Sequence, residues 1–279
     1  MAAGHAGVPG AACGAGGGSR PLLRGALTCP RPRPDATLRL FLFHHAGGSH
    51  LLYRGWEQLF PADWELCLVD APGRGRLSDR PALARADRLA DYLAGELADR
   101  LDRPYAFFGH SMGALVAWEV AARLTASAHR PPLWLGLSAC GAPSTGHGSG
   151  PPARHRLSDE ELRGWLREMG ATPPAVLDDD LLWKVFAPTF RSDFALVDTW
   201  RPDPDAAPLP VALSAFGGTA DPLVDRRRLA GWEQHTRDFR GLHVYSGGHF
   251  YLMDHRRLIS RQIVAAVSAV RRAAAAPVR

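Results

Sequence analysis

Residues 105–124 read YAFFGHSMGALVAWEVAARL. The turn GHSMG in this stretch joins an apolar strand over 105–108 to a helical segment over 112–124. A sharp strand-to-helix turn needs glycines beside the serine, because side chains there would collide with the backbone. It lifts the Ser111 hydroxyl above the sheet edge at a helix N-terminus. Ser111 is therefore predicted to be a nucleophile, with the backbone N–H of Met112 facing a reacting carbonyl oxygen.

Further apolar segments predict strands around this one, over 38–43, 64–69, 133–138, 211–216 and 242–245. Several are continuous apolar runs, as expected for parallel strands covered on both faces. Helical patterns lie between them, with Leu89, Leu93, Leu97 and Leu101 on one helix face and a closing helix over 258–270. This alternation predicts an α/β fold with a mostly parallel, doubly wound sheet and helices on both faces.

The N-terminal segment departs from this pattern. Residues 1–36 are rich in Gly, Ala, Pro and Arg and show no periodicity. Such a segment buries too little apolar surface to offset its ordering entropy. We therefore predict a disordered extension over 1–36 and one folded domain over 37–279.

A helical insertion is predicted at about 144–208, where no good strand is found. Ser158 and Glu161 form a capping box that opens one helix. A second helix is expected from about Asp180, with Leu182, Val185 and Phe186 turned inward and a kink at Pro188. We interpret the insertion as a lid over a pocket, with two additional packing helices as the alternative.

The bulk composition excludes several classes of protein. The chain has 279 residues and a net charge of +5, but the basic residues concentrate at the two ends. No basic stripe interleaved with aromatics indicates a nucleic-acid binder. No segment approaches the roughly 18 apolar residues of a membrane span, and the N-terminus lacks a secretory pattern. With four scattered cysteines, we expect reduced thiols in a cytoplasmic protein.

A serine nucleophile needs a base and a carboxylate that orients it. His249 follows the strand LHVY in the loop SGGHFYL, and Asp221 follows the strand VALSAF in GGTADP. The chain order Ser, Asp, His is the one used by strand–turn–helix serine hydrolases. Asp225 and Asp238 are competing carboxylates in polar surroundings.

The loop HHAGGS after the first parallel strand is expected to supply the second oxyanion donor. Its two glycines permit a close backbone approach, so the N–H of Ala46 is the predicted donor. His45 is interpreted as a loop-stabilising imidazole, with a second base as the alternative.

Together these motifs resemble the stand-alone type II thioesterases of polyketide synthases and nonribosomal peptide synthetases, which have the α/β-hydrolase fold. The resemblance covers roughly 38–270 and runs through LFLFHHAGGSHLLYRGW, VDAPGRGRLSDRP, FFGHSMGALVAWEVA, LSACGAPS, LSDEELRGWLREMGATPP, FGGTADPLV and SGGHFYL. The family's triad falls on Ser111, Asp221 and His249, and its oxyanion donors on the amides of Ala46 and Met112. Two positions depart from its pattern: His44 replaces a proline and Trp200 a tyrosine.

The resemblance implies a substrate, namely acyl groups linked as thioesters to the phosphopantetheine arm of acyl or peptidyl carrier proteins. The implied activity is the removal of stalled or wrong acyl units. No metal or cofactor is expected, because a thioester carbonyl is attacked readily and its thiolate leaves easily. We expect a monomer that binds neither nucleic acid nor membrane. The alternatives are a product-releasing thioesterase, a small-molecule ester hydrolase and a non-catalytic docking protein.

Overall fold

The computed structural model describes residues 22–127, 129–146, 153–203 and 205–275, with only the backbone described for 22–24. The strands are β1 Leu22–Arg24, β2 Leu27–Cys29, β3 Leu38–Phe43, β4 Trp64–Val69, β5 Tyr105–His110, β6 Trp134–Ser138, β7 Leu209–Gly218 and β8 Thr236–Tyr245. They form one sheet in the order β1-β2-β4-β3-β5-β6-β7-β8. The strands from β3 to β8 pair in parallel, and β1 and β2 are antiparallel. The predicted mostly parallel α/β sheet is confirmed, and all six predicted strands are present.

Helices connect the parallel strands. They are α1 Ala86–Ala98, α2 Met112–Ala126, α3 Asp159–Met169, α4 Pro174–Asp178, α5 Asp180–Thr199, α6 Arg226–Ala230 and α7 Arg256–Ala275. The leucine stripe is buried at Leu89, Leu93 and Leu97 as its four-residue spacing predicts, whereas Leu101 lies beyond the end of α1 and is only partly buried. No helix in the described part of the chain combines the length and apolar character needed to cross a membrane.

The sheet has an apolar core on each face. Phe41 and Phe107 belong to the core that contains the buried residues of α1 and α2, and Phe108 to the core that contains those of α7. The Phe41 and Phe107 rings meet edge to face with centroids 5.6 Å apart. A fully buried Leu or Phe contributes about 1.5–3 kcal/mol, and β3, β4 and β5 are buried along their whole length. These cores fix the carboxyl ends of the strands, where the site lies.

The expected disorder over residues 1–36 is wrong for residues 22–36, while residues 1–21 lie outside the described residues. Strand β2 pairs with β4 through Leu27 opposite Val69 and Thr28 opposite Leu68. Beyond the hairpin, the Arg33 N–H donates to Glu65 Oε1 at 3.0 Å. A three-residue strand is too short to show periodicity. Its order comes from pairing with β4, which local composition does not reveal.

The helical insertion is present between β6 and β7 as α3, α4 and α5. The capping box is confirmed, because the Glu161 N–H donates to Ser158 Oγ and the Ser158 N–H to Glu161 Oε2. Helix α5 continues past Pro188 to its end at Thr199. The insertion has an apolar cluster of its own, with Leu162, Leu166, Leu177, Trp183, Ala187, Phe190 and Phe194.

The predicted inward face of α5 is wrong. Leu182, Val185 and Phe186 are 38%, 68% and 40% exposed. The helix instead buries Trp183 and Phe190, which pack with α3 and α4. Apolar residues occupy most positions in the first two turns of α5, so the sequence pattern does not decide which of two adjacent helix faces is buried.

Candidate active site

Ser111 sits at the turn between β5 and α2 with φ 56° and ψ −120°. A non-glycine residue at positive φ is strained, and such strain persists only where the surroundings enforce it. The flanking glycines are required by space. A Cβ on Gly109 would lie 2.1 Å from the Gly113 oxygen, and a Cβ on Gly113 would lie 2.2 Å from the Phe43 oxygen. The strand, turn and helix predicted from residues 105–124 are thus present.

The structure brings the three predicted triad residues together. The Nδ1–H of His249 donates to Asp221 Oδ2 at 2.8 Å, and the Ser111 hydroxyl donates to His249 Nε2 at 2.9 Å. A carboxylate only accepts, so the Asp221 contact fixes the tautomer and leaves Nε2 free to take a proton. The His249 and Asp221 side chains are buried. The arrangement can activate a serine hydroxyl for attack.

Asp221 is itself held by the turn that follows β7. Its Oδ1 accepts the backbone N–H groups of Leu223 at 2.8 Å and Val224 at 3.2 Å. The competing carboxylates are engaged elsewhere. Asp225 caps α6 through the Arg228 N–H, and Asp238 pairs with Arg240 on β8.

The ring of His110, inside the turn before Ser111, belongs to a buried polar chain. His110 Nδ1 lies 2.7 Å from Ser138 Oγ, which lies 2.6 Å from the Tyr251 hydroxyl. Burial, together with the neighbouring His249, holds the pKa of His110 well below its usual value. A neutral His110 between β6 and the His249 loop adds no positive charge beside His249.

The loop after β3 holds two neutral imidazoles. Burial lowers the pKa of His44 to about 3 and that of His45 to about 4. The Nδ1–H of His44 donates to the His45 oxygen at 2.7 Å, and that of His45 to the Ala46 oxygen at 2.8 Å. These contacts favour the loop-stabilising interpretation of His45 over a second base.

The buried His44 should make the free energy of unfolding depend on pH in the acidic range. In the unfolded chain this histidine is protonated near pH 6.5, whereas in the folded protein it stays neutral until about pH 3. The unfolded state therefore binds more protons in this window, and the free energy of unfolding falls as the pH falls through it. His44→Gln should reduce this fall by about 1.4 kcal/mol per pH unit below pH 6. Urea unfolding at pH 6.5, 5.5 and 4.5 measures the slope. Identical slopes in the two proteins would contradict the prediction.

Two cavities meet at Ser111 and His249. The narrow one, of about 30 Å³, is lined by Ala46 and by aromatic side chains including Trp165, Phe194 and Phe250. The wide one, of about 1100 Å³, is lined by Met112 and by polar residues including Arg154, Arg156, Arg201 and Arg228. Ala46 lines the narrow cavity and Met112 the wide one, and the two cavities share Ser111 and His249. Met112 is the first residue of α2, so its N–H has no acceptor within the helix.

Sequence reasoning missed Arg74 and Asp193. Arg74 follows β4 in the loop APGRG, Asp193 lies on α5, and the two side chains form a buried ion pair. The available signal was an acidic residue between Phe190 and Phe194 on a helix, since a buried charge is almost always paired. The partner could not be read from the sequence, because it lies 119 positions away.

Trp200, one of the two positions at which the resemblance breaks down, lines neither cavity as the described residues define them. It is the C-cap residue of α5, and its Nε1–H donates to Glu119 Oε1 on α2 at 2.6 Å. The indole therefore anchors the C-terminal end of the insertion to the domain.

A strained serine between strand and helix, joined to a histidine and an aspartate after later parallel strands, defines a serine hydrolase of the α/β-hydrolase fold. The chain belongs to the thioesterase family, whose thioesterase-domain model matches residues 38–267.

Comparison with individual relatives shows which kind of thioesterase the chain is similar to. Gramicidin S biosynthesis protein GrsT of Aneurinibacillus migulanus is 31% identical over 222 residues, which cover 78% of this chain and 84% of GrsT. BorB, a type II thioesterase from the borrelidin biosynthetic cluster, aligns with TM-score 0.78 and 33% identity, covering 87% of this chain and 97% of BorB. YbtT, a type II thioesterase from the yersiniabactin pathway, aligns with TM-score 0.79 and 30% identity, covering 88% and 99%. The resemblance to type II thioesterases of polyketide and nonribosomal peptide pathways is confirmed.

Proposed function

We propose that this thioesterase hydrolyses acyl groups from the phosphopantetheine arm of carrier proteins and so clears stalled or wrongly primed synthases. The observation that carries the proposal is the bonded set Ser111, His249 and Asp221 at the junction of two unequal cavities. Ser111 is the proposed nucleophile, His249 the base and Asp221 the residue that orients the base.

The proposed reaction has two halves. Ser111 Oγ attacks the thioester carbonyl carbon while His249 Nε2 takes the hydroxyl proton. The C–S bond then breaks, His249 returns the proton to the leaving sulfur, and an acyl-Ser111 ester remains. Water attacks that ester while His249 takes its proton, the bond between the acyl carbon and Ser111 Oγ breaks, and His249 returns the proton to Oγ, which releases the acid and restores the serine. Asp221 stabilises the imidazolium without taking the proton.

The negative charge that develops on the carbonyl oxygen needs donors. The backbone N–H groups of Ala46 and Met112 are the proposed pair, because both line cavities that contain Ser111. Donors fixed before the reaction stabilise this charge without reorganising, and one such donor contributes about 10²–10³ in kcat. The proposed mechanism therefore uses only residues of this chain.

The unequal cavities support a carrier-bound substrate. The wide cavity suits a long polar arm, and Arg156 and Arg228 on its wall suit a phosphate. The narrow cavity suits a small acyl group, since its volume of about 30 Å³ exceeds the space of a single water only modestly. A small acyl chamber supports editing of short units over release of a finished product.

The experiment is intact-mass analysis of carrier proteins loaded with acetyl, propionyl or a long acyl chain. The matching acyl-CoA and a simple ester are run in parallel. We expect short acyl carriers to be unloaded at least about tenfold faster than the long one, because the cavity of about 30 Å³ accepts a small acyl group and not a long chain. Intact carriers beside rapid cleavage of the ester would contradict the proposal. Faster unloading of the long chain would favour product release.

A further inference from the structure

The buried ion pair between α5 and the loop after β4 holds the loop that carries Ala46. Arg74 Nη1 and Nη2 donate to the two carboxylate oxygens of Asp193, each at 2.6 Å. Asp193 Oδ2 also accepts the Gly47 N–H at 2.7 Å, and Arg74 Nη1 also donates to the Gly48 oxygen at 3.0 Å. The ion pair therefore binds the N–H of Gly47 and the oxygen of Gly48, the two residues that follow Ala46.

The peptide unit between Ala46 and Gly47 is held at both edges. Its oxygen accepts the His45 ring N–H, and its N–H donates to Asp193. The preceding peptide unit is held at its oxygen, which accepts the His44 ring N–H at 2.7 Å and the Gly48 N–H at 3.0 Å. The N–H on the other edge of that unit belongs to Ala46. Because a peptide unit is planar, fixing its oxygen fixes the direction of this N–H.

Helix α5 also shapes the loop by packing. Gly47 has φ +73°, and a Cβ there would lie 2.1 Å from Cε1 of Phe190. Phe190 and Asp193 are three residues apart and so lie on one helix face. The same face therefore supplies a ring and a carboxylate to one glycine of the loop.

From these contacts we infer that Asp193 and Arg74 are positioning residues that aim the Ala46 N–H at the reacting oxygen. The inference rests on the proposed role of Ala46 as an oxyanion donor. Since Asp193 belongs to the helical insertion, the donor is in place only while α5 is packed against the loop. The insertion thus completes the site in addition to covering it.

The test compares Asp193→Ala with the wild-type protein on a short acyl thioester of N-acetylcysteamine. We expect kcat to fall about 10²-fold with KM changed by no more than about twofold, because a donor misplaced by about 1 Å loses transition-state stabilisation only. The affinity for a short-chain trifluoromethyl ketone, which forms a tetrahedral adduct on Ser111, should fall by the same factor. Asp180→Asn on the exposed first turn of α5 is the matched control and should keep wild-type values.

A purely structural role would lower stability without changing these ratios. Folded Asp193→Ala protein with wild-type kcat and ketone affinity would overturn the inference. If Asp193→Ala does not fold, the same measurements are made on Asp193→Asn. In this variant the amide oxygen still accepts the Gly47 N–H, but the side chain is neutral and its ionic contact with Arg74 is lost. We then expect a loss of about tenfold in kcat and in ketone affinity, and unchanged values would overturn the inference. Wild-type protein that leaves acyl carriers intact would contradict the proposed function alone, because the thioester and ketone comparisons do not involve a carrier.

Discussion

Ser111→Ala should abolish thioester hydrolysis, with kcat reduced by at least about 10³-fold. The alanine removes the hydroxyl oxygen that lies 2.9 Å from His249 Nε2, so no acyl-enzyme can form. The β5–α2 turn should remain intact, because its close backbone contacts are at the flanking glycines Gly109 and Gly113 and do not involve the serine hydroxyl. The measurement is kcat on a propionyl thioester, with folding checked by circular dichroism.

Ser127→Ala is the matched control for this substitution. Its hydroxyl caps the last turn of α2 by donating to the Leu124 oxygen, and the residue is exposed. This variant should keep wild-type activity. Activity of Ser111→Ala within a few-fold of wild type would remove Ser111 from the nucleophilic role.

Asp221→Asn should lower kcat by about 10⁴-fold, the loss seen when the triad aspartate of serine proteases is changed in this way. The amide keeps an oxygen for the N–H groups of Leu223 and Val224, so the turn after β7 should be preserved. It then presents its NH₂ to His249, which favours the tautomer with the proton on Nε2. That tautomer cannot accept the proton of Ser111.

The competing carboxylates provide controls for Asp221. Asp225→Asn and Asp238→Asn should each keep kcat within a few-fold of wild type, since these side chains contact Arg228 and Arg240. The rates of all variants are compared at the same pH. A wild-type rate for Asp221→Asn, with a loss in either control, would move the orienting role to another carboxylate.

The parallel sheet and the proximity of Ser111, His249 and Asp221 could be predicted, because the strands and the turns that follow them have local sequence patterns. Strands such as β3 and β4 are buried on both faces and are therefore continuous apolar runs. The carboxyl ends of parallel strands lie at one edge of the sheet. Residues that follow β5, β7 and β8 therefore meet there, although Ser111 and His249 are 138 positions apart.

What could not be predicted depends on tertiary partners. Strand β2 is ordered by pairing with β4, and its three residues carry no periodic signal. The buried face of α5 is selected by the cluster around Leu162 and Leu177, which the sequence of α5 does not specify. The Arg74–Asp193 pair joins the loop after β4 to a helix of the insertion, so neither residue could be identified as the partner of the other from the sequence.

The most direct test of the account is to mix the protein with a propionyl carrier and analyse it by intact mass within its first turnover. We predict a transient mass increase of one propionyl group, located by peptide mapping on Ser111, that disappears as the free acid forms. The adduct should be absent from Ser111→Ala. Carrier unloading with no adduct on Ser111, or unloading at the wild-type rate by Ser111→Ala, would contradict the account.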